Sequence, residues 1–192
     1  MPAPTILAFA GSLRTDSFNK KVVRIAAEGA RAAGAEVTLV DLRDFPMPVY
    51  DGDLEAASGI PEHGKRLKKL FLEHEGLMIS TPEYNSSIPG TLKNVLDWVS
   101  RSEPGEHPLA AYAGKTAVLM SASPGGLGGV RSLNVLRMMM ANIKVLVLPD
   151  SVSVSKAGEA FNPDGSLKDA KQAASVQKLG KTLAETIAKL HA

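Results

Sequence analysis

Three polar stretches hold the residue types and spacings that could do chemistry. The first, Gly11-Ser12-Leu13-Arg14-Thr15-Asp16-Ser17-Phe18-Asn19, runs from an apolar segment into the start of a helical pattern. A helix N-terminus offers free backbone N–H groups and the positive end of the helix dipole, which together suit an anion. Ser12, Ser17 and Asn19 add hydrogen-bonding side chains, and Arg14 can grip a phosphate through two parallel N–H groups. One Ser or Arg alone reads as an ordinary helix start, with Asp16 or Ser17 as N-cap and Arg14 in solvent; the whole cluster points to phosphate binding. The second stretch, Thr81-Pro82-Glu83-Tyr84-Asn85-Ser86-Ser87-Ile88-Pro89-Gly90, sets an aromatic and several polar groups between another apolar run and a helix. It can frame a flat heterocycle with backbone amides at its edge, and taken alone it fits a half-buried tyrosine between turn prolines equally well. The third, Ser121-Ala122-Ser123-Pro124-Gly125-Gly126-Leu127-Gly128-Gly129, has glycines that allow positive φ and close approach of backbone to a ligand. On composition alone it is also a flexible connector.

Several other chemistries lack their residues. The chain has no cysteine, which excludes disulfides, thiolate catalysis, Fe–S clusters and Cys-ligated zinc within it. His63, His74, His107 and His191 show no metal-ligand spacing and read as surface residues, so no metal site is expected. No G-x-G-x-x-G follows the first apolar run, which weakens a Rossmann dinucleotide reading. Gly114-Lys115-Thr116 imitates the end of a P-loop, but Leu109 stands where the first glycine belongs and the segment enters a strand. There is no G-x-S-x-G nucleophile elbow. The run Lys65-Arg66-Leu67-Lys68-Lys69 reads as a solvated helix face.

The elements that must position these loops follow from periodicity. Apolar runs at Thr5–Ala10, Glu36–Val40, Leu77–Ser80, Thr116–Met120 and Val145–Leu148 read as five strands. Between them lie helical patterns at Asn19–Ala33, Pro61–Glu73, Leu92–Val99 and Gly129–Met140, and Val176, Leu179, Leu183, Ile187 and Leu190 stripe a C-terminal helix. The strands are apolar on both faces, as in a parallel sheet covered by helices. Alternating strands and helices give a doubly wound α/β fold, in which ligands bind beyond the carboxyl ends of the strands at the switch point of strand order. All three polar stretches lie at such ends. Two long loops, Leu42–Gly59 and Ser100–Gly114, fall outside this pattern.

The whole chain, 192 residues with 44% hydrophobic and 22% charged residues, fits a single soluble domain. Lys and Arg number 22 against 20 Asp and Glu, a balance too even to imply a nucleic-acid partner. No apolar run reaches the roughly 18 residues of a membrane span. Met1-Pro2-Ala3-Pro4 leads straight into the first strand without a signal-peptide pattern, so a cytoplasmic location is expected.

Taken together the three loops resemble the NADPH-dependent FMN reductase family, the flavodoxin-like group that includes bacterial quinone, chromate and azo-dye reductases. The first loop matches G-S-x-R-x-x-S-x-N. The second matches P-E-Y-N-x-S-x-P-x-x-L-K-N-x-x-D-W from Pro82 to Trp98, and the third S-x-x-P-G-G-x-G-G-x-R, ending at Arg131. The resemblance runs from about Thr5 to Leu190. It implies a five-stranded parallel sheet of order 2-1-3-4-5. It also implies that Ser12, Arg14, Ser17, Phe18 and Asn19 hold the FMN phosphate in a loop completed by Gly11 and Leu13. Pro82, Glu83, Tyr84 and Asn85 would line the isoalloxazine, largely through backbone groups, with Ser121, Ser123, Pro124, Gly125 and Gly126 closing the other side. The implied reaction carries hydride from NADPH or NADH through bound FMN to a small-molecule acceptor by a ping-pong route, with no catalytic side chain. Acceptors of this type are quinones, free flavin, azo compounds and chromate.

The family is usually dimeric or tetrameric, and the helix bearing Met138, Met139 and Met140 is a candidate for such an interface, though a Met stripe also fits a core. Trp98 is expected to pack, and Arg101 to reach a partner subunit or an anionic substrate. The competing reading is a flavodoxin-type electron carrier without NAD(P)H turnover. Near-neutral charge and Arg14 in the phosphate loop favour the enzyme over the carrier. A third reading is a scaffold that keeps the fold without the flavin.

Overall fold

The computed structural model describes residues 2–191. Its centre is one parallel sheet built from β1 (Thr5–Ala10), β2 (Glu36–Val40), β3 (Gly76–Thr81), β4 (Thr116–Ala122) and β5 (Leu146–Val154), in the order β2-β1-β3-β4-β5. β1, β3 and β4 are flanked by strands on both sides and covered by helices on both faces, so almost every residue in them is buried. β2 and β5 depart from the expected two-sided apolar pattern. They are the sheet edges, and Glu36, Leu39, Leu146 and Pro149 face solvent there.

Alternate residues of the strands feed two separate cores. Ile6, Ala8, Ala10, Met78, Val118 and Met120 face α1 (Phe18–Ala32) and α7 (Ala170–Leu190). Leu7, Phe9, Leu77, Ile79 and Leu119 face α3 (Glu62–Glu73), α4 (Gly90–Val99) and α5 (Val130–Asn142). On the first face α1 and α7 approach so closely that a Cβ on Gly180 would run into the Ala26 carbonyl oxygen and one on Gly29 into the Gln177 carbonyl oxygen.

Where structure and periodicity differ, the cause is local. β5 does not stop at Leu148. It continues past Pro149 to Val154 through a register shift opposite Ala117 and Leu119. Pro149 cannot donate to the ladder, which makes it look like an end; the Arg137 guanidinium donates instead to the Leu148 and Pro149 carbonyl oxygens at 2.7 and 3.1 Å. The segment expected as a long loop at 42–59 contains a 3-10 turn, Leu42–Asp44, and a short helix α2 (Gly52–Ser58), capped by Asp41 and Asp51 respectively. One further turn of helix, α6 (Ala157–Ala160), follows β5. His74, expected at the surface, is buried between the Leu70 carbonyl oxygen at 2.6 Å and Thr38 Oγ1 at 2.7 Å. Lys68, expected in solvent, is also buried, donating to the Arg101 carbonyl oxygen at 2.7 Å and pairing with Glu106. Lys115 of the imitation P-loop is buried at the foot of β4 and donates to the His74 carbonyl oxygen.

Trp98 packs as expected. It is fully buried, donates from Nε1 to the Pro48 carbonyl oxygen at 2.8 Å, and meets Tyr50 edge-on. Arg101 lies over the Tyr50 ring, 5.3 Å from its centroid. Of the three methionines on α5, Met140 is in the core and Met138 is 66% exposed. Among the described residues no helix is long and apolar enough to cross a membrane, and no three His, Cys, Asp or Glu side chains converge as a metal set would.

Candidate functional site

The order β2-β1-β3 puts α1 on one face and α4 on the other, so the chain leaves β1 and β3 in opposite directions and opens a crevice between their ends. Ser12, Arg14, Ser17, Phe18 and Asn19 from the first loop line it. They are joined by Pro82, Glu83 and Tyr84 from the second, and by Ala122, Ser123 and Pro124 from the third. Ten residues singled out by sequence thus meet in one cleft, together with Ala122 of the same third stretch.

The first loop is built to leave donors free. Ser17 occupies the N-cap position of α1 with extended backbone, yet its hydroxyl does not cap the helix. Among the described residues the amides of Ser17, Phe18 and Asn19 donate to no protein acceptor, and the Arg14 guanidinium has no protein partner either. Unclaimed N–H groups at a helix start beside a free guanidinium are the kind of donor set that a phosphate dianion needs. The loop is braced from outside. Lys20 pairs with Asp41 at 2.7 Å, and Arg43 donates to Asp41 and, at 2.8 Å, to Thr15 Oγ1. Desolvation pushes the Asp41 carboxyl up, but the hydrogen bonds from Lys20 and Arg43 outweigh it and hold the group down at about 2.

Asn19 faces down rather than out. Its side-chain amide donates to the Ala122 carbonyl oxygen at 2.9 Å, and its oxygen accepts from Ala122 N at 2.9 Å and Ser80 Oγ at 2.8 Å. With 2% of its surface exposed, it ties the start of α1 to the ends of β3 and β4 beneath the cleft. Only its backbone amide remains open to a ligand.

The second loop is a tight hairpin. Tyr84 and Ser87 exchange two backbone hydrogen bonds of 3.0 Å, with Asn85 and Ser86 at φ of 51 and 65° between them. That is the geometry of a type I′ turn, which Asn tolerates better than most residues. Asn85, at the tip, is exposed and does not line the cleft, while Tyr84 stands half exposed at its edge. Glu83 turns aside to α5. It accepts from Arg131 N at 3.1 Å, Ser132 N at 3.4 Å and Arg131 Nε at 2.6 Å. Its partial desolvation pushes the carboxyl up, and the Arg131 and Ser132 hydrogen bonds outweigh that and hold it below the usual range.

The third loop folds on itself. The Gly125 carbonyl oxygen accepts from Gly128 N and Lys156 N, both at 3.2 Å, and Ser123 and Ala157 share a 3.0 Å backbone hydrogen bond. Ser121 is fully buried and serves the loop from below, donating to the Gly128 carbonyl oxygen at 2.7 Å. Gly129 has φ of 93°, and a Cβ there would lie 3.0 Å from Ser121 Cβ, so both backbone and space call for glycine. Gly125 and Gly126 are exposed and do not line the cleft, whose third-loop wall ends at Pro124. Gly11 is a packing residue, because a Cβ on it would sit 2.8 Å from Leu92 Cδ2. Leu13 turns to the opposite side of the loop, into an apolar cavity of about 300 Å³ shared with Leu42, Phe45, Met47, Thr91 and Val95.

This arrangement has relatives. The family model of the NADPH-dependent FMN reductases matches residues 4–159. The chain is 35% identical over 143 residues to a quinone reductase of Escherichia coli K12, covering 74% of this chain and 72% of that protein. It is 34% identical over 174 residues to an NAD(P)H-dependent FMN reductase of Pseudomonas aeruginosa, covering 90% and 89%. Its fold superposes with a TM-score of 0.80 on FerB, a flavoenzyme NAD(P)H:(acceptor) oxidoreductase from Paracoccus denitrificans, at 29% identity and over 97% and 98% of the two chains. With a flavodoxin-like sheet, unclaimed N–H donors at the loop after β1 and a family match over most of its length, the chain is an oxidoreductase of the NADPH-dependent FMN reductase family.

Proposed function

We propose that this protein carries hydride from NAD(P)H through bound FMN to a small-molecule acceptor, a quinone, free flavin or an azo or chromate-type oxidant, by a ping-pong route. The observation behind it is the cleft at the β1/β3 switch point, where unclaimed amides, two serine hydroxyls and Arg14 meet backbone-rich walls from two further loops. The donor set fits FMN. Ser12, Arg14 and Ser17, with the amides of Phe18 and Asn19, would hold the phosphate. Pro82, Glu83, Tyr84 and Asn85 would bound the ring through backbone groups, with Ser123, Pro124, Gly125 and Gly126 opposite. Gly11, Leu13 and Ser121 shape these loops from behind.

Bound FMN supplies a ring that accepts hydride and returns electrons. The protein's part is to bind, orient and exclude water. Among the described residues the titratable side chains lining the cleft are Arg14, Glu83 and Tyr84, and Glu83 is committed to Arg131, so no general acid or base is assigned. The adjoining apolar cavity beside Leu13 offers room for the flat ring of an acceptor. The same reading takes the chain as one FMN-binding domain, cytoplasmic, assembled as a homodimer or homotetramer through apolar surface such as the exposed Met138, Leu146 and Val49.

Steady-state NADPH oxidation over a grid of quinone concentrations tests the mechanism. Parallel double-reciprocal lines are expected, and intersecting lines would contradict ping-pong turnover. An FMN-loaded protein that turns over no NAD(P)H with any of these acceptors would instead support an electron carrier. Sedimentation velocity tests the assembly, and a monomer at micromolar concentration would contradict it.

A further inference from the structure

Two walls of the cleft are tied together by one carboxylate. Glu83 stands between Pro82 and Tyr84 after β3, while Arg131 and Ser132 open α5 after β4. Helix α5 begins without a capping side chain of its own, because its N-cap residue is Gly129 in the left-handed region. Glu83 fills that role from another loop, 48 residues away in sequence. One carboxylate oxygen accepts the Arg131 and Ser132 amides at 3.1 and 3.4 Å. The other takes Arg131 Nε at 2.6 Å and also contacts Nη2, so the guanidinium is held by two of its nitrogens. The Glu83 side chain is 7% exposed, whereas that of Arg131 is 54% exposed. The carboxylate is thus enclosed by its donors, and the guanidinium forms part of the outer rim. The next residue, Tyr84, starts the pinned hairpin, so whatever fixes Glu83 also fixes the hairpin against α5.

We propose that Glu83 is a positioning residue: by capping α5 and holding Arg131 it sets the separation between the 82–87 hairpin and the 123–129 loop, and through it the affinity and orientation of the flavin ring. The proposal rests on the FMN reading above. It differs from the role that the resemblance implies for this position, which is to line the ring largely through backbone groups. Here the side chain acts at a distance, through a second loop.

The test titrates FMN into flavin-free wild-type protein and into Glu83→Ala, Glu83→Gln, Arg131→Ala and the Glu83→Ala/Arg131→Ala double variant. Flavin fluorescence gives the affinity, visible circular dichroism of the saturated protein gives the ring environment, and thermal unfolding of the flavin-free protein gives stability. Charge-assisted hydrogen bonds of this kind predict FMN binding weakened about tenfold in Glu83→Ala. Glu83→Gln keeps an acceptor without the charge and should lose about threefold. The double variant should be no worse than Glu83→Ala within about twofold, because both changes break one link. The visible dichroism of bound flavin should shift in Glu83→Ala and return toward wild type in Glu83→Gln.

A cap that only stabilises α5 would lower the melting temperature while leaving FMN affinity within twofold and the dichroism unchanged, and that result would overturn the proposal. So would single-variant effects that multiply in the double variant. If Glu83→Ala does not fold, Glu83→Gln and Arg131→Ala decide the matter by the same affinity and dichroism criteria. Wild-type protein that takes up no FMN would overturn the cofactor reading and this proposal with it, whereas wild type that binds FMN alongside variants that bind equally well would overturn this proposal alone.

Discussion

Asn19 gives the sharpest physical test of how the cleft is built. Its amide serves Ala122 twice and Ser80 once, from a position with 2% exposure. Replacing Asn19 by Ala leaves the Ala122 N–H and C=O and the Ser80 hydroxyl without partners. At about 1–3 kcal/mol for each unsatisfied buried group, softened by water entering from the cleft, the loss should be about 3–5 kcal/mol. That is a large share of the roughly 5–15 kcal/mol that holds a domain together. Asn19→Asp is the finer probe. Its one oxygen can still accept from Ala122 N and Ser80 Oγ, but its other oxygen faces the Ala122 carbonyl oxygen and must carry a proton to bond there. Burial and that requirement raise the carboxyl above its unfolded value. A raised folded pKa means that the variant's stability is fully present below the unfolded pKa and is lost as pH climbs through the folded one. Urea unfolding followed by the fluorescence of Trp98, the single tryptophan, should show Asn19→Asp near wild type at about pH 4 and behind it by about 2 kcal/mol at pH 8. A loss under about 1 kcal/mol in Asn19→Ala, or an Asn19→Asp deficit that stays flat or shrinks as pH rises, would refute the bridging role.

Other perturbations probe the remaining parts. Arg14→Ala should weaken FMN binding about tenfold or more and flatten its salt dependence without changing stability, since the guanidinium has no partner among the described residues; calorimetric titration at two ionic strengths checks it. Thr91→Trp should fill the cavity beside Leu13, raise the quinone KM at least about fivefold and leave the FMN Kd unchanged, as read by steady-state kinetics and fluorescence titration. Burial depresses Lys115 to about 8, so the unfolded chain binds more protons above that pH, and stability should rise between about pH 8 and 10.5. Measured against Lys115→Met, which cannot titrate, the gain should approach about 3 kcal/mol across that window by urea unfolding. Gly180→Ala forces a methyl group against the Ala26 carbonyl oxygen and should cost about 3 kcal/mol in thermal or urea unfolding, with α1 and α7 driven apart.

The sheet was legible because β1, β3 and β4 are buried on both faces, leaving continuous apolar runs that alternate with helical stripes. The cleft was legible because its loops follow those strands. Less visible was which way each polar residue points. Asn19 reads as a ligand in the phosphate motif, yet it lies in register with Val22, Val23, Ala26 and Ala30, the buried stripe of α1, and that spacing places its side chain inside. Lys68 sits likewise among Gly64, Leu67 and Phe71 on the inner face of α3, so its charge is met by Glu106 and a carbonyl oxygen instead of water. Periodicity held that information in both cases, and residue type obscured it. The Glu83–Arg131 link had no such signal: both residues stand in the quoted motifs, but a contact spanning 48 positions depends on the strand order that brings two loops together. β5 beyond Pro149 was hidden because its edge position lets side-chain donors from Arg137 replace ladder bonds.

The central claim is that the cleft between β1 and β3 holds a flavin that NAD(P)H reduces. The most direct measurement is the absorbance spectrum of the purified protein, supplemented with FMN and freed of excess, before and after anaerobic NADPH. Flavin bands that co-elute with the protein and bleach on addition of NADPH are the predicted result. A protein that retains no flavin after incubation with FMN, or one whose bound flavin stays oxidised under NADPH and NADH alike, would contradict it.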